Sequence, residues 1–243
     1  MRASGYDGVI VSDRQATMIK VHHLNNSRSQ RVLWLLEELG LPYEVVRYER
    51  DAKTMLAPAA LRAVHPLGKS PVIEDGGLVL AESAAILEYL VERYDGEHHF
   101  SPPPGSFDAP EWRRFRYWLH YAEGSAMPPL LLSLVFSRLK QVPMPFFARP
   151  IARGIADKVL AGFVGPQIKL HLDYIENELG KHTWFAGDRF TAADIQMSFP
   201  IEAAAQRSGA ATRPRQQAFF ERIHARPAYQ RAVERGGPFQ LLS

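Results

Sequence analysis

Apolar and polar positions change rhythm along this chain, and the changes mark out its elements. Residues 19–24 (Ile-Lys-Val-His-His-Leu) form a compact strand-like run. In residues 28–39, Val32, Leu35, Leu36 and Leu39 recur at i, i+3, i+4 and i+7, which is one apolar stripe of an amphipathic helix. Gly40 and Pro42 stop that helix, and residues 43–48 read as a second strand. A shorter helix is expected over 54–63, although Pro58 lies inside it. Residues 71–74 and 78–81 flank Asp75-Gly76-Gly77, a strong turn signal that predicts a hairpin. Residues 83–94 then carry Ile86, Leu87, Leu90 and Tyr94 at helical spacing. The order is βαβαββα: two parallel strands joined by a crossover, then a hairpin that reverses direction. Such a mixed sheet needs helices on its faces.

A second texture begins after residue 95. Ser101-Pro102-Pro103-Pro104-Gly105 cannot continue a helix, so residues 96–110 read as a stiff Pro-rich linker. Beyond it strand signals nearly vanish. Helices are expected over 112–139, 151–179, 192–206, 215–225 and 228–235. The predicted organisation is an α/β domain over 18–95 and an all-helical domain over 111–243. Residues 1–17 lack a long apolar core, resemble no signal peptide and are expected to be a disordered N-terminal extension. The apolar run 130–136 is too short to cross a bilayer.

Composition narrows the chemistry. The 243 residues are 46% hydrophobic and 23% charged, ordinary for a soluble globular protein with a sizeable core. A net charge of +3, with arginines scattered along the chain, gives no electrostatic case for nucleic acid or a membrane surface. Cysteine is absent, which excludes disulfides, thiolate metal sites and a cysteine nucleophile. The pairs His22-His23 and His98-His99 lack ligand spacing, so no metal is expected.

Three polar constellations remain. Ser27, within Asn25-Asn26-Ser27-Arg28-Ser29-Gln30-Arg31, stands just before an amphipathic helix, where backbone N–H groups lack intrahelical partners. A thiolate there would gain from those donors, the positive helix end and the Ser27 hydroxyl. The competing reading is an S-x-x-Q capping box formed with Gln30. Lys69-Ser70-Pro71 enters the hairpin, and a fixed bend, cis or trans, would expose the Ser70 backbone for pairing with an extended peptide. Glu82-Ser83 opens the next helix. Ser83 would cap it or accept a carboxylate there, and Glu82 would pair with an ammonium group. Further on, Thr191-Ala192-Ala193-Asp194 has the form of a capping box and is assigned to folding. Trp118, Tyr121, Met127, Leu131 and Phe136 are candidates for an apolar wall between the domains, with core packing as the alternative for each.

Taken together, Ser27, Ser70-Pro71 and Glu82-Ser83 resemble the soluble glutathione transferases, most closely their bacterial and fungal serine-type, theta-like branch. The resemblance covers residues 18–235. It implies a thioredoxin-like N-terminal domain, a helical C-terminal domain, a cytoplasmic homodimer, and glutathione as co-substrate without a metal. By the same resemblance Ser27, four residues before Arg31, activates the sulfur, with Asn25, Asn26 or Ser29 as alternatives. Ser70 pairs with the cysteinyl backbone, Lys69 contacts the tripeptide's backbone or glycyl end, and Glu82 and Ser83 hold the γ-glutamyl group. Asn25, Trp118, Tyr121 and Met127 are expected around a hydrophobic electrophile or a peroxide. The chain departs from many members in having His65-Pro66 and Ser70-Pro71 where they carry Asn-Pro and Val-Pro. Other readings of the same residues are a glutathione-dependent lyase, isomerase or dehalogenase, and a non-catalytic carrier or regulatory protein.

Overall fold

The computed structural model describes residues 18–51, 53–207 and 213–237. The extension expected at residues 1–17 lies outside them. The chain opens with β1 (Ile19–Leu24), α1 (Ser29–Glu38), β2 (Tyr43–Tyr48), α2 (Ala59–Val64), β3 (Val72–Asp75), β4 (Leu78–Ala81) and α3 (Ser83–Tyr94). The strands form one sheet in the order β2-β1-β3-β4. β1 runs parallel to β2, with Val21 opposite Val45, and antiparallel to β3, with Val21 opposite Ile73. The parallel pair needs a crossover, which α1 provides, whereas β3 and β4 need only the tight Gly76-Gly77 turn. Val21 and Ile73 are fully buried beneath α1 and α3. This is the thioredoxin-like arrangement the hydrophobic pattern and the resemblance led us to expect.

The short helix departs from expectation. α2 starts only at Ala59, and Pro58 lies outside it with extended backbone. Residues upstream are held in a turn instead, because the Asp51 carboxylate accepts the N–H groups of Lys53 and Thr54 and the Thr54 hydroxyl. An acidic side chain that captures nearby backbone donors competes with the helix for them.

The second half contains α4 (Pro110–Tyr121), α5 (Met127–Leu139), α6 (Arg149–Val159), α7 (Gly165–Glu178), α8 (Ala192–Arg207), α9 (Pro214–His224) and α10 (Pro227–Gly236). Proline occupies the first turn of α4, α6, α9 and α10, where its missing N–H costs nothing. The long helices expected over 112–139 and 151–179 are each broken by a π turn, at Ala122–Ala126 and Leu160–Val164. Pro128 and Pro166 stand two residues beyond these turns, and a glycine, Gly124 or Gly162, lies four residues before each proline. Proline removes the i→i−4 bond and its ring pushes on that carbonyl. One widened turn absorbs both effects while the helix keeps its direction.

α8 runs through the centre of this half, buried on all sides through Ala204. Its start is tied by Asp194, whose carboxylate accepts the N–H groups of Phe185 and Thr191 and the Thr191 hydroxyl. The capping assignment at Thr191–Asp194 therefore has its geometry. α10 returns to the first domain: Tyr229 meets the buried Trp34 ring edge-on at 5.0 Å, and Arg226 donates from Nε and Nη2 to Glu38. Among the described residues no helix is long and apolar enough to cross a membrane.

Candidate functional site

The turn from β1 to α1 creates the centre of the site. Asn26 adopts a left-handed backbone (φ 51°), which turns the chain so that Ser27 faces the loop before β3. The Ser27 hydroxyl oxygen lies 2.7 Å from Ser29 Oγ and 3.3 Å from Ser70 Oγ, and it accepts the Ser29 N–H at 3.3 Å. Ser70 is pinned in turn. Its hydroxyl donates to the His22 carbonyl at 2.8 Å and accepts the Leu24 N–H at 3.2 Å, and the following bond to Pro71 is cis. The Ser70 backbone is thus fastened to the end of β1, beside Ser27.

The capping box expected at Ser27 does not form. Arg28 is the N-cap of α1 and makes no side-chain cap bond, while the buried Gln30 amide has no hydrogen-bond partner among the described residues. The Ser27 oxygen takes the N–H two residues on, in a local turn. Its hydroxyl belongs to a second chain of contacts: Ser29 Oγ lies 2.8 Å from His23 Nδ1. Burial, reinforced by the Arg47 charge, pushes His23 down to about 4, against a hydrogen bond to the Gly236 backbone that raises it. The imidazole is neutral at physiological pH, so Ser29 and His23 form an uncharged relay behind Ser27.

A cleft of about 400 Å³ opens beside this centre, lined by Ser27, Lys69, Ser70 and Met127 together with Leu131 and Phe199. It brings together Ser27, Lys69, Ser70, Met127 and Leu131, five of the residues singled out for glutathione or electrophile contact, with Asn26, an alternative for the sulfur. Others stand elsewhere. Trp118 is buried against Phe185 and Tyr174, with ring centroids at 4.7 and 5.5 Å. Tyr121 is buried too, its hydroxyl 2.5 Å from His171 Nδ1. This inner face of α4 packs into the core, so the structure does not bring either ring to the cleft. Asn25 Oδ1 accepts the Arg50 N–H at 3.1 Å, and Asn26 lines the cleft in its place. Phe136 does not line it either.

Glu82 and Ser83 are adjacent to the site without lining the cleft. Glu82 is exposed, holds the positive φ of 74° and is itself the N-cap of α3, so Ser83 is the first helical residue and not its cap. The buried Ser83 hydroxyl accepts Arg31 Nη1 at 3.2 Å and Gln196 Nε2 at 3.3 Å. With two donors on its oxygen, its own proton is available to an incoming acceptor.

Sequence reasoning missed the residues that brace this loop. Glu123, in the first π turn, accepts Arg28 Nε at 2.8 Å and Arg31 Nη1 at 2.6 Å through one oxygen. Both guanidinium groups also stack on Phe199, at 4.9 and 5.0 Å from its ring centroid. Arg31 is almost wholly buried, and burial lowers it to about 10 while Glu123 holds it up, so it stays cationic. Burial would raise Glu123, but Arg31 and then Arg28 outweigh it and hold the carboxylate low. The spacing of Arg28 and Arg31 on one helix face was readable. Their partner, far along the chain on a distorted turn, left no periodic signal. Among the described residues no cluster of three or more His, Cys, Asp or Glu side chains could hold a metal ion.

Comparison with known proteins places this geometry in context. Residues 16–92 match the N-terminal domain of glutathione S-transferase, and residues 155–227 match its C-terminal domain. Glutathione S-transferase 3 of Schizosaccharomyces pombe is 44% identical over 188 residues, 77% of this chain and 74% of that one. Glutathione S-transferase 1 of Saccharomyces cerevisiae is 39% identical over 201 residues, 80% of this chain and 84% of the relative. Among solved structures, a glutathione S-transferase from Actinobacillus pleuropneumoniae superposes with a TM-score of 0.74 at 34% identity, covering 92% of this chain and 95% of its own. A Phanerochaete chrysosporium glutathione transferase in complex with oxidized glutathione superposes at 0.68 with 25% identity, over 90% and 96% of the two chains. With relatives this similar over most of both lengths, and both domains matched, the chain belongs to the glutathione S-transferase family.

Proposed function

We propose that this chain binds glutathione in the cleft beside Ser27 and activates its thiol for attack on a hydrophobic electrophile or an organic peroxide. The observation that carries this reading is the pairing of the Ser27 hydroxyl with the Ser70–Pro71 bend, 3.3 Å apart at the head of α1. The Ser70 backbone would pair with the cysteinyl residue in strand fashion, which sets the sulfur over Ser27. The Ser27 O–H would then donate to the thiolate, aided by the positive end of α1. Stabilising the thiolate raises its population at neutral pH. Lys69 stands beside Ser70 to meet the tripeptide's backbone or glycyl end. At the other end the exposed Glu82 would receive the γ-glutamyl ammonium, and the free Ser83 proton its carboxylate. In conjugation the sulfur forms a bond to carbon as the leaving group departs with its electron pair. With a peroxide the thiolate attacks oxygen, the O–O bond breaks and the alkoxide leaves to be protonated to the alcohol; a second glutathione then reduces the sulfenic acid to the disulfide and water.

The serine-type assignment, the homodimer and the cytoplasmic setting belong to the same reading, and sedimentation of the purified chain tests the dimer. Calorimetry with glutathione, and turnover with 1-chloro-2,4-dinitrobenzene and cumene hydroperoxide, test the activity itself. Binding with turnover of either substrate supports a transferase and says which chemistry it runs. Binding without any turnover points to a carrier, and no binding overturns the proposal.

A further inference from the structure

Resting on the proposed transferase reading, one property of the cleft goes beyond it. Met127, Leu131, Leu134 and Arg138 all line the cleft, and their spacing of four, three and four residues makes them one stripe of α5. The stripe is apolar for three positions and ends in a cation. Across from it, Arg50, Arg62 and Lys69 line the wall contributed by the first domain, and among the described residues no aspartate or glutamate lines the cleft. Arg28 also lines it but is paired with Glu123. For the other four, no carboxylate partner is found among the described residues. Arg50 donates from Nη1 to the Met55 carbonyl at 3.3 Å, and its buried Nε has no partner. Burial first, then the nearby charges of Arg28 and Arg138, lower Arg50 below its ordinary value.

Glutathione does not use up this charge. The residues proposed for its γ-glutamyl end, Glu82 and Ser83, lie off the cleft, so the tripeptide brings one carboxylate, the glycyl one, into it. Arg62 stands on that side, its stem passing so close to Gly68 (φ +55°) that a Cβ there would fall 2.5 Å from Arg62 Cγ. With Lys69 beside it, the glycyl carboxylate has two cations from the first domain. Arg138 and Arg50 remain, next to the apolar stripe. Unpaired cations converging on a partly desolvated site favour an anion there over a neutral group.

We propose that the preferred electrophile is an amphipathic anion, an apolar body carrying a carboxylate. The body packs on Met127, Leu131, Leu134 and Phe199, and the carboxylate is received by Arg138 and Arg50. Arg138 is a specificity-determining residue in this account and takes no part in activating the sulfur.

The test uses a matched pair, 4-chloro-3,5-dinitrobenzoate and its neutral amide 4-chloro-3,5-dinitrobenzamide, each corrected for its uncatalysed rate with glutathione. The readout is the ratio of kcat/KM for the benzoate to that for the neutral compound. Arg138 is only partly buried, so Arg138→Gln leaves the fold intact and can be compared directly. The expected result is a ratio above one in the unsubstituted chain, falling about tenfold in Arg138→Gln and falling with added salt. A ratio that does not change, or an equal loss for both substrates with a raised KM for glutathione, assigns these cations to glutathione and overturns the inference while leaving the transferase reading standing. Absence of turnover with both compounds overturns the transferase reading, and the inference with it.

Discussion

Around Ser27 the hydrogen-bond network is decided by the direction in which hydroxyl protons point. A neutral His23 can give Ser29 a proton or take one from it, but a charged His23 can only donate, and its site is built against that charge. The folded ring titrates near 4 and an unfolded one near 6.5, so between these values the unfolded chain binds more protons. Stability from His23 is therefore complete above about 6.5 and is lost as pH falls through 4, by at most about 3 kcal/mol. Urea unfolding of wild type and His23→Gln at pH 7.5 and 4.5 checks this as a difference, which cancels other titrating groups. The stability advantage of wild type should shrink on acidification, and a constant advantage would contradict the burial argument. Ser27 was legible in the sequence as a polar residue between a strand and an amphipathic stripe. Its link to His23 through Ser29 was not, because Ser29 and His23, six apart across a turn, share no periodicity.

The strands, the hairpin and α3 follow the hydrophobic pattern closely, since each buries one face and places a Gly or Pro signal at its end. The π turns do not show in that pattern, because widening one turn shifts the stripe without breaking it. Their trace was a glycine four residues before a proline, at Gly124–Pro128 and Gly162–Pro166. The first π turn matters for the site because it carries Glu123 to Arg28 and Arg31. Glu123→Gln leaves Arg31 buried without its countercharge, and should cost about 3 kcal/mol of stability. Adding Arg31→Met should recover much of that loss; equal stability of the single and double variants would show that the pair is not coupled. At α8 the effect is simpler. Asp194→Ala strips partners from two backbone N–H groups and a hydroxyl, all buried. A loss of about 3 kcal/mol is expected, more than an exposed cap would give. An unchanged melting temperature would refute the cap.

Over the whole molecule, the α/β domain supplies the residues proposed to handle the thiol and the helical half supplies their enclosure. Phe199 and Glu123 brace the Ser27 loop from one side, and α10 closes over α1 through Trp34, Tyr229 and the Arg226–Glu38 pair. The two-part plan could be read from the loss of strand signals after residue 95. Which helices face the cleft could not, since Trp118 and Met127 both look like candidates until packing sends one ring inward and leaves the other residue on the wall. The central claim is that Ser27 stabilises a glutathione thiolate, and the thiolate's ultraviolet absorbance, titrated against pH with glutathione bound to wild type and to Ser27→Ala, tests it most directly. The account predicts a bound thiol at least one unit or so below its ordinary value of about 8.5, and a rise of about 1–2 units on removing the hydroxyl. A bound thiol that titrates like free glutathione, or identical values in the two proteins, would contradict it.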